Sequence, residues 1–224
     1  MKNEFILADR ETAQDLQAYL TRAKRLDPDG LVRLRAYGAL LAAYVAPIFA
    51  GSLMDSGPTV MGLRTCELAE EAEVESLVPI SAVLDRLARV LDEPVWNNKT
   101  AAISLPASER APWAGIMPPR GGWAETGSLT EARISQIAKD GIAEVADALP
   151  EAVGGPIAAR IRGEIWGKSI DLVSAVPTGA AFVAAGLGFL TEDEIVNVYE
   201  AEGWVRLSTM HGHVLAKAAK TFSV

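Results

Sequence analysis

Apolar residues recur at intervals of three and four over residues 9–26, where Leu16, Tyr19, Leu20 and Ala23 align while Gln14, Asp15, Arg22 and Lys24 fall elsewhere. That period is a helix's, and Asp27-Pro28-Asp29-Gly30 supplies the turn chemistry to end it. The pattern then changes. In LVRLRAY, Val32 and Leu34 alternate with Arg33 and Arg35, the two-residue period of a half-buried strand. Gly38 interrupts it, ALLAAYVAPIF resumes as a more apolar strand over 39–49, and TVMGLRTCEL (59–68) makes a third after a loop at Asp55-Ser56-Gly57-Pro58. Three strands with short connections predict an antiparallel meander.

The acidic run ELAEEAEVES reads as a solvated connection, followed by a helix over 79–91 with Val83, Leu84, Leu87 and Val90 or Leu91 on one side, and a short strand at TAAISL (100–105). The stretch from 106 to 126 has no period. Ser128-Leu129-Thr130-Glu131 forms a capping box opening a helix whose stripe is Ile134, Ile137, Ala138, Ile142, Val145 and Leu149, closed by Pro150. Ile157, Ile161 and Ile165 mark a helix behind Pro156, and another runs from Pro177 to Leu187-Gly188. From Glu194 onward the pattern is that of strands. One similarity links the ends: Gly30-LVRLRAY-Gly38-ALLAAY and Gly203-WVRLSTMH-Gly212-HVLAKA share G-x-V-R-L and a later glycine, which predicts two hairpins, at 31–45 and 204–217, with Val32, Leu34, Val205 and Leu207 turned to a core. The expected fold is α+β, an antiparallel sheet of N-terminal meander plus C-terminal hairpin packed with helices, as a single domain over 1–224 with a loop-rich middle at 106–126.

Two uncharged runs, 36–54 and 172–191, raise the question of membrane crossing. In the first, Leu40, Leu41, Val45, Ile48, Phe49 and Leu53 at about 0.3–0.6 kcal/mol each favour insertion by only about 2–4 kcal/mol, opposed by Pro47, glycines and a serine. The second carries Pro177 among alanines and glycines. Both are expected to be buried elements, with no membrane. MKNEFILADRE has no apolar run suited to a signal peptide, so a cytoplasmic location is expected.

Half the residues are apolar and 22% are charged, the balance of a globular chain. A net charge of −8 argues against nucleic acid, whose phosphates call for clustered Lys and Arg. The lone Cys66 excludes an internal disulfide and reads as a buried thiol. His211 and His213, in MHGHV, share one side of a strand and form a weak candidate pair; with no further Cys or His to close a site, no metal is expected. Gly186 and Gly188 lack the third glycine of a dinucleotide fingerprint, no G-x-S-x-G elbow or Walker motif occurs, and EEAEVE and TEDE read as solvent-facing charge runs, so no cofactor is expected. The stretch WAGIMPPRGGW stands apart: Trp113 and Trp123 flank Arg120, whose fork suits a carboxylate or phosphate while an indole stacks on it. The competing reading is a loop anchored in the core by both indoles.

PPRGGW followed by a helix, an Ile-Trp segment, a small-residue helix ending LGFL and the terminal WVRLSTMHGHVL resemble a family of uncharacterised proteins from high-GC bacteria, across most of the chain. No activity is assigned to that family, so the resemblance transfers no catalytic residue. Scarcity of histidine and cysteine favours a cytoplasmic binding or interaction protein without catalysis, engaging a protein partner or a second copy of itself. The alternative is a small-molecule enzyme or ligand-binding protein with a pocket near Arg120 and Trp113 or Trp123.

Overall fold

The computed structural model describes residues 3–50, 57–97, 101–150, 154–170 and 173–217. Its elements, in order, are β1 (Glu4–Ile6), α1 (Arg10–Leu26), β2 (Leu31–Ile48), β3 (Thr59–Ala72), β4 (Glu75–Pro79), α2 (Ile80–Asp92), β5 (Ala102–Ser104), a 3-10 turn (Pro112–Gly115), β6 (Ala124–Thr130), α3 (Glu131–Ala148), α4 (Gly155–Trp166), β7 (Ser169–Ile170), β8 (Val173–Pro177), α5 (Thr178–Gly186), β9 (Ile195–Ala201), β10 (Trp204–Thr209) and β11 (Gly212–Lys217). The fold is α+β. A seven-stranded antiparallel sheet runs in the order β4-β2-β3-β11-β10-β9-β6, with two-stranded pairs β1-β5 and β7-β8 beside it. Among the described residues no helix is long and apolar enough to cross a membrane.

The chain divides into two compact units, residues 1–45 with 63–114 and residues 46–62 with 115–224, so β2 and β3 each lend residues to both. In the first unit α1 begins where the sequence predicts, with the Asp9 carboxylate accepting from Thr12 N at 2.7 Å, and buries Ala13, Leu16, Tyr19, Leu20 and Ala23. The Tyr19 hydroxyl donates to Ala43 O at 3.2 Å, and burial pushes its pKa well above the ordinary value. Arg10 reaches α2 and donates to the carbonyls of Leu91 and Glu93, satisfying acceptors that a helix end leaves open. The edge strand β4 is covered: Leu77 N donates to Ser108 Oγ at 3.0 Å, and Leu77 O accepts from Glu109 N at 2.7 Å. In the second unit α3, α4 and α5 pack together. Trp166 stacks on Phe182 with ring centroids 4.6 Å apart. Helix α5 can lie close because Gly179 has no side chain to meet Ile48 Cδ1, which a Cβ there would approach to 2.9 Å.

Several expectations are corrected. Residues 31–45 are not a hairpin: β2 passes through Gly38, whose φ of +63° kinks the strand without reversing it. The C-terminal counterpart does turn, because Met210-His211 supplies the two-residue loop that RAYGALL lacks. Val32, Leu34, Val205 and Leu207 are all buried, as expected. ELAEEAEVES is largely strand, shared by β3 and β4. Its acidic side chains line solvent-facing positions of paired backbone. The cap of α3 is Thr130, whose Oγ1 accepts from Arg133 N at 3.3 Å; Ser128 lies inside β6. Ile142 and Ile157 are exposed rather than part of the stripes. Residues 51–56, Thr100 and 171–172, within the runs and loops predicted above, lie outside the described residues.

Gly141 of α3 sets a sharp test. A Cβ there would stand 2.3 Å from Trp166 Cζ3. Gly141→Ala should therefore lower unfolding stability by about 1–3 kcal/mol through overpacking, despite the roughly 1 kcal/mol helix preference of alanine over glycine. In a Trp166→Leu background the same change should become neutral or stabilising. Urea denaturation of the four chains measures both.

Candidate interaction face

In the second unit, strands β6, β9, β10 and β11 form a continuous ladder. Arg206 stands opposite Tyr199 and Leu215, Ser208 opposite Asn197 and His213, Glu125 opposite Tyr199, and Thr130 opposite Ile195. Directly opposed residues share a face. Val196, Val198, Val205, Leu207, Val214 and Ala216 take the other face and are buried. Ile195, Asn197, Tyr199, Arg206, Ser208 and His213 are thereby set on the outer one with some exposure, beside Trp204 and Leu215, which the same register places there and which are buried.

At the centre of this face is Arg206. Its guanidinium carbon lies 4.7 Å from the Trp123 ring centroid and 4.6 Å from that of Tyr199, so two electron-rich faces hold it. Among the described residues no carboxylate pairs with it, and its Nε is buried without a hydrogen-bond partner. Burial lowers its pKa from the usual arginine value, although a guanidinium stays charged. The contrast with Arg33, in the same G-x-V-R-L pattern, is direct: Arg33 Nε meets Glu75 at 2.7 Å, and its Nη1 donates to Ala114 O at 2.6 Å. Arg206 has aromatic rings where Arg33 has acceptors.

His213 Nδ1 shares a 3.2 Å hydrogen bond with Ser208 Oγ. Burial, and then the charge of Arg206, lower its pKa. His211 is exposed at the hairpin tip, and its backbone N–H donates to Thr209 Oγ1 at 3.3 Å. The tip is tied to the start of β9 through Glu194, whose carboxylate accepts from Met210 N at 2.7 Å and from Thr191 N at 3.2 Å. Met210 and Ile195 are thus held at one end of the face, 78% and 58% exposed.

The other sequence candidates separate. Trp113 is buried in the first unit, inside the 3-10 turn. Trp123 belongs to the second, half-buried, its Nε1 donating to Pro119 O at 3.2 Å. Arg120 is exposed between them in sequence. Cys66 is buried and its thiol is pushed up to about 12 by burial. Sequence reading missed Arg206 and Tyr199, yet a signal was present. Glu202-Gly203, at φ +49° and +75°, forms the two-residue turn between alternating strands, and counting outward from it pairs the two residues.

Two family models match the chain, both described as domains of unknown function: DUF8010 over residues 1–108 and DUF8185 over residues 118–221. No curated protein matches. Among solved structures, the chain is similar to the DNA polymerase III subunit beta of Pseudomonas aeruginosa, at 14% identity over 99% of this chain and 66% of that one, with a TM-score of 0.51. A Bartonella birtlesii sliding clamp bound to griselimycin is similar at 12% identity over 98% and 66%, with a TM-score of 0.51. The Caulobacter crescentus pol III beta is similar at 11% over 97% and 65%, with a TM-score of 0.52. The chain is folded like a sliding clamp. It spans about two-thirds of those proteins' length. This overturns the exclusion of nucleic acid, because the fold is one that DNA polymerase clamps use. Net charge sums over a whole surface, whereas phosphate contact depends on where the cations lie.

His213 carries a pH prediction. Its folded pKa lies below the ordinary 6.5, so as pH falls through 6.5 the unfolded chain takes up the proton first and stability drops. The stabilising state is the neutral one, complete above 6.5. His213→Asn should flatten this acid limb in denaturation curves measured on both sides of pH 6.5. The buried, high-pKa Cys66 should resist iodoacetamide in the native protein and react fully once unfolded, as mass spectrometry would record.

Proposed function

We propose that this protein is a cytoplasmic, non-catalytic interaction protein that uses a sliding-clamp-like fold as a scaffold, and that the outer face of β6, β9, β10 and β11 receives a protein partner or a second copy of the chain. The observation that carries this reading is the juxtaposition on one sheet face of Trp123, Tyr199 and Arg206 with the exposed Ile195 and Met210. Aromatic, arginine and methionine side chains are the types enriched where proteins meet. The fold adds support, since the proteins that share it are named as a polymerase subunit and a clamp, parts of assemblies. Burial keeps the Cys66 thiol protonated, which disfavours thiolate chemistry there. Of the loop residues singled out by sequence, Trp123 is taken into this face.

Native gel filtration of the protein in extract, with DNase-treated and untreated arms, tests the reading. The wild-type chain should elute well above the monomer after DNase, and a chain carrying Ile195→Glu with Met210→Glu should elute as a monomer with unchanged circular dichroism. A wild-type monomer in both arms would overturn the proposal. Loss of the larger species on DNase treatment alone would replace it with nucleic-acid binding.

A further inference from the structure

Resting on the interaction reading, the geometry points to the chemistry of the partner: we infer that Arg206 is the receptor for a carboxylate side chain of an acidic peptide segment, laid across the outer face with apolar neighbours against Ile195 and Met210. Three observations lead there. The guanidinium is held by Trp123 and Tyr199 before any ligand arrives, so little side-chain freedom is lost on binding. It is uncompensated among the described residues, with a buried Nε lacking an acceptor, whereas Arg33 in the matching strand has both a carboxylate and a carbonyl. Finally, among the strand positions of this face the register sets Arg206 and Lys217 against Glu125, while the carboxylate beside Ile195 and Met210, that of Glu194, is taken up by Met210 N and Thr191 N.

A planar fork meets a carboxylate through two parallel hydrogen bonds; because Nε is enclosed, the two bonds to a partner are those of the Nη groups. A phosphodiester strand suits the face less well. Nucleic acid is gripped by summing several phosphate contacts along the backbone, while here one fork stands at the centre of a face whose end carries the exposed Ile195 and Met210.

The test is NMR titration of the full chain with a short end-capped peptide bearing one glutamate between two leucines, its glutamine analogue, inorganic phosphate and a short DNA duplex. The Nε–H resonance of Arg206 and the indole N–H of Trp123 are followed. The glutamate peptide should shift both saturably, the glutamine analogue should bind at least about tenfold more weakly, and Arg206→Lys should lose about tenfold by losing the fork. Equal binding of the two peptides, no shift with any probe, or stronger effects from phosphate or duplex would each overturn the inference. Assembly that persists on gel filtration in Arg206→Lys while the peptides fail would sink this inference alone. A chain that is monomeric throughout would sink the interaction reading beneath it.

Discussion

A strand has two faces, and a helix layer can cover only one of them. In the second unit Val196, Val198, Val205, Leu207, Val214 and Ala216 are driven to the covered face, and each is nearly inaccessible. Burying side chains of this size yields about 1.5–3 kcal/mol apiece before entropy is counted, so register cannot slip by one residue without exchanging the two faces. Everything else on the sheet follows from that commitment. Tyr199, Arg206, Ser208 and His213 occupy the outer face because their neighbours are pinned to the inner one. The arginine stands between aromatic rings as a consequence of pairing, with Glu202-Gly203 setting the count.

The same constraint explains what the sequence made legible. Helix α1 and the β10–β11 hairpin could be read directly, because the period and the turn each agreed with the final structure. The first hairpin could not. Gly38 looks like a turn glycine, but a single left-handed residue shifts the phase of a strand and leaves its direction unchanged. Beyond it burial is nearly continuous, with Leu41, Ala42, Ala43, Val45 and Ala46 all buried. The acidic segment at 67–76 was misread for another reason: charge reports exposure, not the absence of backbone pairing, and one open face suffices for glutamates on a strand.

The site was half legible. Trp123 and His213 were visible as unusual residues, but what joins them is Arg206, an ordinary residue in an ordinary Val-Arg-Leu strand. Pairwise register across two turns was needed to see it. Trp113, equally conspicuous in the sequence, packs into the first unit. The charge argument failed at a larger scale. A net of −8 describes the whole chain, whereas the outer face carries a local cationic centre within a fold shared with polymerase clamps.

The central claim is that the outer face of β6, β9, β10 and β11 is covered in the working protein. Hydroxyl-radical footprinting of the isolated chain against the assembly recovered from cells tests it most directly. Met210, Tyr199 and Trp123 should be oxidised in the isolated chain and protected in the assembly, while Lys139-bearing peptides on α3 change little. Equal oxidation of the three residues in both states would contradict it.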